Sequence, residues 1–554
     1  MQQQNTFDNF YTPKNNEFYS KFHYVTLKPE ERRIRLLRIQ PLKPGEDEGT
    51  RIKCELIDNQ SLAAMQGKFT TLSYCAGDPK KTETIVVNGL EFNAFANLGH
   101  ALRQIRHFWK EKHDTQELLL WTDQVCINQS NSDERSHQVN FMGDIYGSAI
   151  QVLVCLSAEG DRSGGIRWLQ QFAHEFREYE QNQPNSECAS DSGESEDHGL
   201  NFFRENYDGE SFHCGWDACV ATILKSPWWS RAWIRQEYLR SSDVYFIAAN
   251  ESAHWEGITE AVEVFYNAAY GIDLFWDEED RRTCPGSSQR SPDACQACLH
   301  AMDCSEFQYA GKRASTLLHL KTELVTKISY SPDLLDRLKH MHLCESSDPR
   351  DLVYSCFGIS SETYGLYPDY TSSVSLQDVF IKVAQNAITH CRSLNILRRA
   401  YLTRMGSSRS DLPSWVPDWR NISRTQEGHG HALPSRSTDF FTFHPDSGGR
   451  PDRILQVRGT QIGFIGEKED MWSKVISCPD GRVPLVGYAK RNDEVYVLHG
   501  LGNLFLLRRQ NDYFRVVGEV LGRDGILPGV DLLVNGLEEM IERNDPAVLF
   551  IDIC

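Results

Sequence analysis

Leu118-Leu-Leu-Trp121-Thr-Asp123-Gln-Val-Cys126-Ile-Asn128-Gln129 decides how this chain is read. The apolar run Leu118–Trp121 is short for a helix and reads as a buried strand. It ends at a carboxylate, Asp123, and open α/β sheets place ligand chemistry at the carboxyl ends of parallel strands. Asp133 and Glu134 then open a helix, because acids in a first turn complement the helix macrodipole. Val139, Met142, Ile145, Tyr146 and Ala149 recur at helical spacing and form its apolar stripe.

Outward from this core the pattern alternates strand and helix. Phe69-Thr-Thr-Leu72-Ser73-Tyr74-Cys75-Ala76-Gly77-Asp78 is a strand running into a glycine turn. Thr84 to Phe92 is a hairpin, because Asn88-Gly89 suits the positive φ angles of a two-residue turn. Leu98, Ala101, Leu102, Ile105, Phe108 and Trp109 predict a helix. Leu36–Leu42, Ile150–Leu156 and Val244–Ala249 predict further strands, giving a mostly parallel sheet covered on both faces over residues 21–250. Gln181–His198, polar and acidic, reads as a disordered insertion, and 277–303 as a second low-order stretch. A helical and linker region over 251–420 follows. It contains Asp348-Pro-Arg350-Asp351, Pro368-Asp369-Tyr370 and Leu412-Pro-Ser-Trp415-Val-Pro-Asp418-Trp419, read as structural. From about 421 to 554, short alternating segments such as Ile454–Gly459 and Glu494–Gly500 predict a small antiparallel β module, a barrel or a sandwich.

Chemistry is suggested by Pro227-Trp-Trp-Ser-Arg231-Ala-Trp233-Ile-Arg-Gln-Glu237. Glu237 lies four residues after Trp233 and so on the same helical face. A carboxylate held against an aromatic wall acquires a shifted pKa and becomes chemically useful. The plainer alternative is an amphipathic helix with Glu237 pointing to solvent or pairing with Arg231.

Together these three segments resemble the heterokaryon-incompatibility (HET) domain of filamentous fungi. That family carries Leu-Ser-Tyr-x-Trp-Gly-Asp, then Trp-x-Asp-x-x-Cys-Ile-Asn-Gln with a Glu-Arg-x-x-Gln helix, then Trp-Trp-x-Arg-x-Trp-x-x-Gln-Glu. All three occur here in order, with Ala76 replacing the first-motif tryptophan. The resemblance implies a cytoplasmic effector or regulator of non-self recognition and programmed cell death, acting with an incompatible protein partner or by self-association. HET domains are in turn distantly similar to Toll/interleukin-receptor (TIR) domains, which implies a flavodoxin-like sheet. It also implies an activity, cleavage of NAD at the nicotinamide–ribose bond, with Glu237 as the catalytic carboxylate. Ser73, Asp78, Asp123, Trp233 and Arg231 would line the ligand site. The rival is a non-enzymatic binding or self-assembly module built on the same edge.

Composition narrows the classes. A chain of 554 residues is too long for one core. Its 58 basic and 77 acidic residues give a net charge of −19, which disfavours nucleic acid and anionic membrane as partners. No stretch approaches the roughly 20 apolar residues needed to span a bilayer. Cys126, Cys155, Cys219 and Cys356, inside apolar runs, read as small core residues of a reducing compartment. Cys284, Cys295, Cys298 and Cys304 could close a zinc site, but their irregular spacing makes unpaired thiols the default reading.

Overall fold

A computed structural model describes residues 15–42, 45–47, 49–113, 117–182, 202, 218–275, 304–325, 333–339, 341–371, 373–403, 411–420, 441–445, 449, 453–465, 475–478, 481–484, 490–501, 503–520 and 530–554. The chain divides into two compact units, residues 1–330 with 344–348, and residues 331–343 with 349–554. The expected insertions beyond Asn182 and over 277–303 lie outside the described residues, as do Cys284, Cys295 and Cys298 and the side chain of Cys304.

The first unit is built on nine strands: β1 Arg33–Ile39, β2 Lys53–Ser61, β3 Thr70–Tyr74, β4 Thr82–Val87, β5 Leu90–Phe95, β6 Leu118–Trp121, β7 Gln151–Cys155, β8 Val244–Ala248 and β9 Glu251–His254. They form one sheet in the order β5-β4-β2-β1-β6-β3-β7-β8-β9. The four strands β6, β3, β7 and β8 are mutually parallel. The expectation of a mostly parallel sheet is corrected outside that core. The pairs β1–β2, β1–β6, β4–β5 and β8–β9 are antiparallel. Two-residue turns do this in β4–β5 and β8–β9, because parallel neighbours need a long crossover, whereas residues 40–52 join β1 to β2. At the β4–β5 turn Asn88 and Gly89 take φ of 50° and 79°, as a primed turn requires. The opening strand lies earlier than expected and ends before Pro41, which has no N–H to donate to a ladder.

Helices α1 Ala96–His113, α2 Asp123–Cys126, α3 Ser132–Asn140, α4 Met142–Ser148, α5 Gly165–Asn182 and α6 Ile234–Leu239 lie between strands, and α7 Trp255–Phe275 and α8 Cys304–Val325 follow β9. Asn131 caps α3, accepting from the amides of Asp133 and Glu134. The predicted single helix through Ala149 is two, broken at Phe141, whose φ of −118° and ψ of 19° leave the helical well. Helices α7 and α8, placed by pattern in a middle region, belong to this first unit. At the sheet edge, Asn15 donates to the Asn93 carbonyl (3.0 Å) and accepts from its amide (2.7 Å), occupying both outward groups of that β5 residue.

Arg35 of β1 ties the unit together. Opposite it β2 carries a bulge, with Asn59 at φ 57°, and the bulge brings Asp58 to the guanidinium. All five Arg35 N–H groups are used. Nε donates to Asp58 (3.0 Å), Nη1 to Glu134 (2.6 Å) and the Cys126 carbonyl (3.0 Å), and Nη2 to Glu134 (3.0 Å) and the Val25 carbonyl (2.7 Å). Its plane lies 4.6 Å from the Tyr24 ring centroid. Glu134 also accepts from the Asn128 amide at 2.8 Å, fixing the turn after α2.

In the second unit, Arg350 donates to the carbonyls of Asp369, Thr371 and Val374, and Tyr370 donates to Asp351 at 2.6 Å, so two of the downstream motifs fasten each other. Trp415 is buried and donates to the Arg453 carbonyl at 3.0 Å. The expected β module is present as strands Phe441–His444, Ile454–Phe464, Glu494–Leu498, Leu504–Gln510, Tyr513–Val520 and Leu549–Ile553. Strand Leu549–Ile553 pairs back onto Ile454–Phe464 and, in parallel, at one residue with Tyr513–Val520, so five of the six strands close on themselves. The helix Val530–Glu542 contributes Leu537 to the core they enclose.

Removing Arg35 leaves the Glu134 carboxylate, 5% exposed, without its counter-charge. Arg35→Ala is therefore expected to lower stability by about 3–5 kcal/mol in chemical denaturation. Arg38→Ala, on the same strand but with a partly exposed side chain, should stay close to the native midpoint.

Candidate functional site

The third strand sets the site's geometry. Along β3, Thr71 and Ser73 point to one face and Leu72 and Tyr74 to the other. Ser73, 1% exposed, donates to Glu237 Oε2 in a short hydrogen bond. It accepts from Trp228 Nε1 at 2.7 Å. Arg231 Nη1 donates to the same Glu237 oxygen at 3.3 Å. Ser226 starts the Pro227–Ser230 turn by accepting from the Trp228 amide, and its hydroxyl donates to the Leu156 carbonyl at 2.7 Å. That bond anchors the tryptophan pair to the end of β7. Trp228 then packs edge-on against Phe246 at 5.6 Å and Tyr238 at 6.2 Å.

Glu237 is thus a buried carboxylate, 3% exposed, at the junction of α6 and β3. Burial pushes its pKa up, while the Arg231 charge and the Ser73 hydroxyl pull it down, and burial prevails. For Arg231, burial disfavours the cation, yet the Glu237 carboxylate reverses this and leaves its pKa raised. The Asp123 carboxylate, half-buried at the start of α2, adds to the field that holds the Arg231 charge and accepts from Tyr74 OH at 3.3 Å. Tyr146 of α4 donates to the Leu72 carbonyl at 3.0 Å and stands edge-on to Trp121 at 5.5 Å.

Of the sequence-derived site residues, Ser73, Arg231 and Glu237 meet in one network, with Asp123 beside it. Asp78 does not join it: the residue is exposed and its carboxylate accepts from the Lys80 amide within its own turn. Trp233 stands at the N-cap of α6, half-buried, and the indole in the network is that of Trp228. The i to i+4 rule selects Trp233, but α6 is only six residues long and the Pro227 turn folds Trp228 back over Ser73. The neighbouring Trp-Trp pair and the serine that caps it were the signal for that. Ala76 is half-buried just past β3. At Gly77, φ is 75° and an added Cβ would lie 2.5 Å from Asn97 Nδ2, so glycine is required there. Glu134 belongs to the Arg35 cluster, and Cys126 is fully buried with its thiol pushed up to about 12 by burial.

A carboxylate whose folded pKa is raised binds its proton more tightly in the native state. Its contribution to stability is then fully present below the unfolded value of 4.5 and is lost as pH rises through the folded value. Native protein should therefore lose stability relative to Glu237→Gln as pH rises above 4.5. Denaturation midpoints of both proteins from pH 4 to 8 check this, and a pH-independent difference would refute it. Ser73→Ala strips the Trp228 N–H and Glu237 of their shared partner, with an expected loss of about 1–3 kcal/mol.

Comparison with known proteins bears on this network. Residues 69–237 match the family described as heterokaryon incompatibility protein (HET), a span that ends on Glu237. A curated relative, heterokaryon incompatibility protein 6, OR allele, from Neurospora crassa, is 26% identical over 458 residues. The alignment covers 76% of this chain and 63% of the relative, so the chain spans less than two thirds of that protein's length. No solved structure matches the chain. The strands β3, β6 and β7 and the network from Ser73 to Glu237 all lie within the span that matches the heterokaryon incompatibility family.

Proposed function

We propose that this protein is an effector or regulator of fungal heterokaryon incompatibility. It acts in the cytoplasm on a protein partner of incompatible type, or on a second copy, to arrest growth or trigger programmed cell death. The observation carrying this reading is that the similarity to the Neurospora relative extends over 458 residues, well beyond the 69–237 module. The net charge of −19 favours a protein over a polyanion as partner. Among the described residues no helix is long and apolar enough to cross a membrane. Conditional overexpression of the full chain in a filamentous fungus is expected to arrest growth. Unaltered growth at high expression would count against it.

A second reading is supported by topology. Taken alone, the parallel strands run in the order β6-β3-β7-β8, which is 2-1-3-4 in chain order, the flavodoxin-like arrangement of TIR domains. Its switch point lies between β3 and β7, and Ser73 and Glu237 meet beside it. On this reading the module is a TIR-like NAD glycohydrolase. Glu237 stabilises positive charge building on the ribose as nicotinamide leaves, Arg231 and Asp123 contact the substrate, and NAD is substrate rather than resident cofactor. With Glu237 only 3% exposed, NAD reaches it only after α6 moves, and Ala76 offers no aromatic wall. The expected activity is therefore weak in isolated protein. Nicotinamide release from NAD should fall by several powers of ten in Glu237→Ala, about 3–5 kcal/mol in barrier height. Equal turnover by native and variant protein would eliminate the assignment and leave the binding module.

A further inference from the structure

The segment that carries Glu237 is covered by two pieces of chain from outside the 69–237 module. The first is α8, which packs against α6, the Pro227–Ser230 turn, the Cys219–Leu224 segment and α7. It inserts Lys321, 0% exposed, at the C-terminal end of α6. The ammonium donates to the carbonyls of Tyr238 (2.8 Å) and Ser241 (2.5 Å) and lies over the rings of Tyr238 (4.6 Å) and Trp255 (5.2 Å). The second is the short return Cys344–Asp348, flanked on both sides by residues of the second unit. Here the Glu345 amide donates to the Ser230 carbonyl (2.5 Å) and the Glu345 carbonyl accepts from the Ala232 amide (3.0 Å). These bonds clamp the backbone on either side of Arg231, the residue that holds Glu237. Arg235 of α6 donates to Cys344 Sγ at 3.3 Å, and Arg313 of α8 pairs with Glu345 at 2.8 Å, which joins the two pieces.

We propose that α8 and the Cys344–Asp348 return form an autoinhibitory latch that holds the Trp228–Leu239 segment closed over Ser73, with Glu237 buried on its inner side. The proposal rests on the reading that this network carries the protein's activity. Two physical features suit a contact that must open. Each piece grips backbone groups of the segment, the return through the Glu345 peptide and α8 through the Lys321 ammonium beside the buried Leu317 and Leu318. Lys321 is also an unfavourable residue to bury: desolvation brings its pKa down to about 8, against the opposing pull of Asp243, so at neutral pH the docked state carries a charge it disfavours. The lysine makes docking reversible while satisfying the carbonyls of Tyr238 and Ser241.

Amide hydrogen exchange on the full chain tests this without relying on activity. Lys321→Glu and Glu345→Pro break the two pieces separately, the second at a surface position. Each is expected to speed exchange at least tenfold at the Ala232, Gln236 and Glu237 amides and to leave β3 and β7 unchanged. Unaltered exchange at those amides in both variants would overturn the latch, as would uniform loss of protection across the sheet. In the overexpression assay both variants should arrest growth at lower expression than the native chain, and weaker arrest would overturn the inhibitory role. If neither native nor variant chain arrests growth, the functional reading fails while the exchange data still decide whether the latch exists.

Discussion

A guanidinium with five donors must find five acceptors when it is buried, and Arg35 finds them on four separate stretches of chain. Asp58 comes from the β2 bulge, Glu134 from the first turn of α3, the Cys126 carbonyl from the end of α2 and the Val25 carbonyl from the segment before β1. No single contact here is large in net terms, because desolvation offsets much of the Coulomb attraction. What the cluster supplies is uniqueness: displacing any of the four leaves a buried donor unmatched, so alternative packings of the Asp123–Asn128 turn are excluded. The position of Asp123 next to Arg231 follows from that fixed turn.

The network around Ser73 repeats the logic at the other end of the motif strand. One hydroxyl receives the Trp228 N–H and gives its own proton to Glu237, so a serine with two roles sets both an aromatic ring and a carboxylate. Arg231 completes the arrangement and keeps it nearly neutral. As it stands the network is a well-satisfied structural junction, and chemistry on an added substrate requires the α6 segment to move. Binding and catalytic readings thus make different demands on the same few residues.

Much of this was legible in the sequence for local reasons. Strands β6, β7 and β8 are short, largely apolar runs, β3 runs from Thr70 toward a glycine turn, and the Asn88-Gly89 turn carries its own stereochemistry, so none of these needed distant information. The contacts that were not legible are long-range. Arg35 and Glu134 are 99 residues apart and Ser73 and Glu237 164, and nothing in their immediate neighbours pairs them. Choosing Trp233 over Trp228 came from applying helical periodicity to a segment that begins as a proline turn. The mixed direction of the sheet is not legible because antiparallel and parallel strands have the same composition, and neither residues 40–52 between β1 and β2 nor the distant pairing of β1 with β6 announces its direction.

The Asn15 side chain, which meets the backbone of Asn93, bears on how another chain could add to the sheet. An uncovered edge strand is a template on which another chain adds by backbone pairing, with little regard to sequence. At Asn93 both outward groups of β5 are already taken by a side-chain amide that imitates a peptide. Growth of the sheet through that residue is therefore blocked. Association at that position then depends on side chains rather than on indiscriminate strand addition.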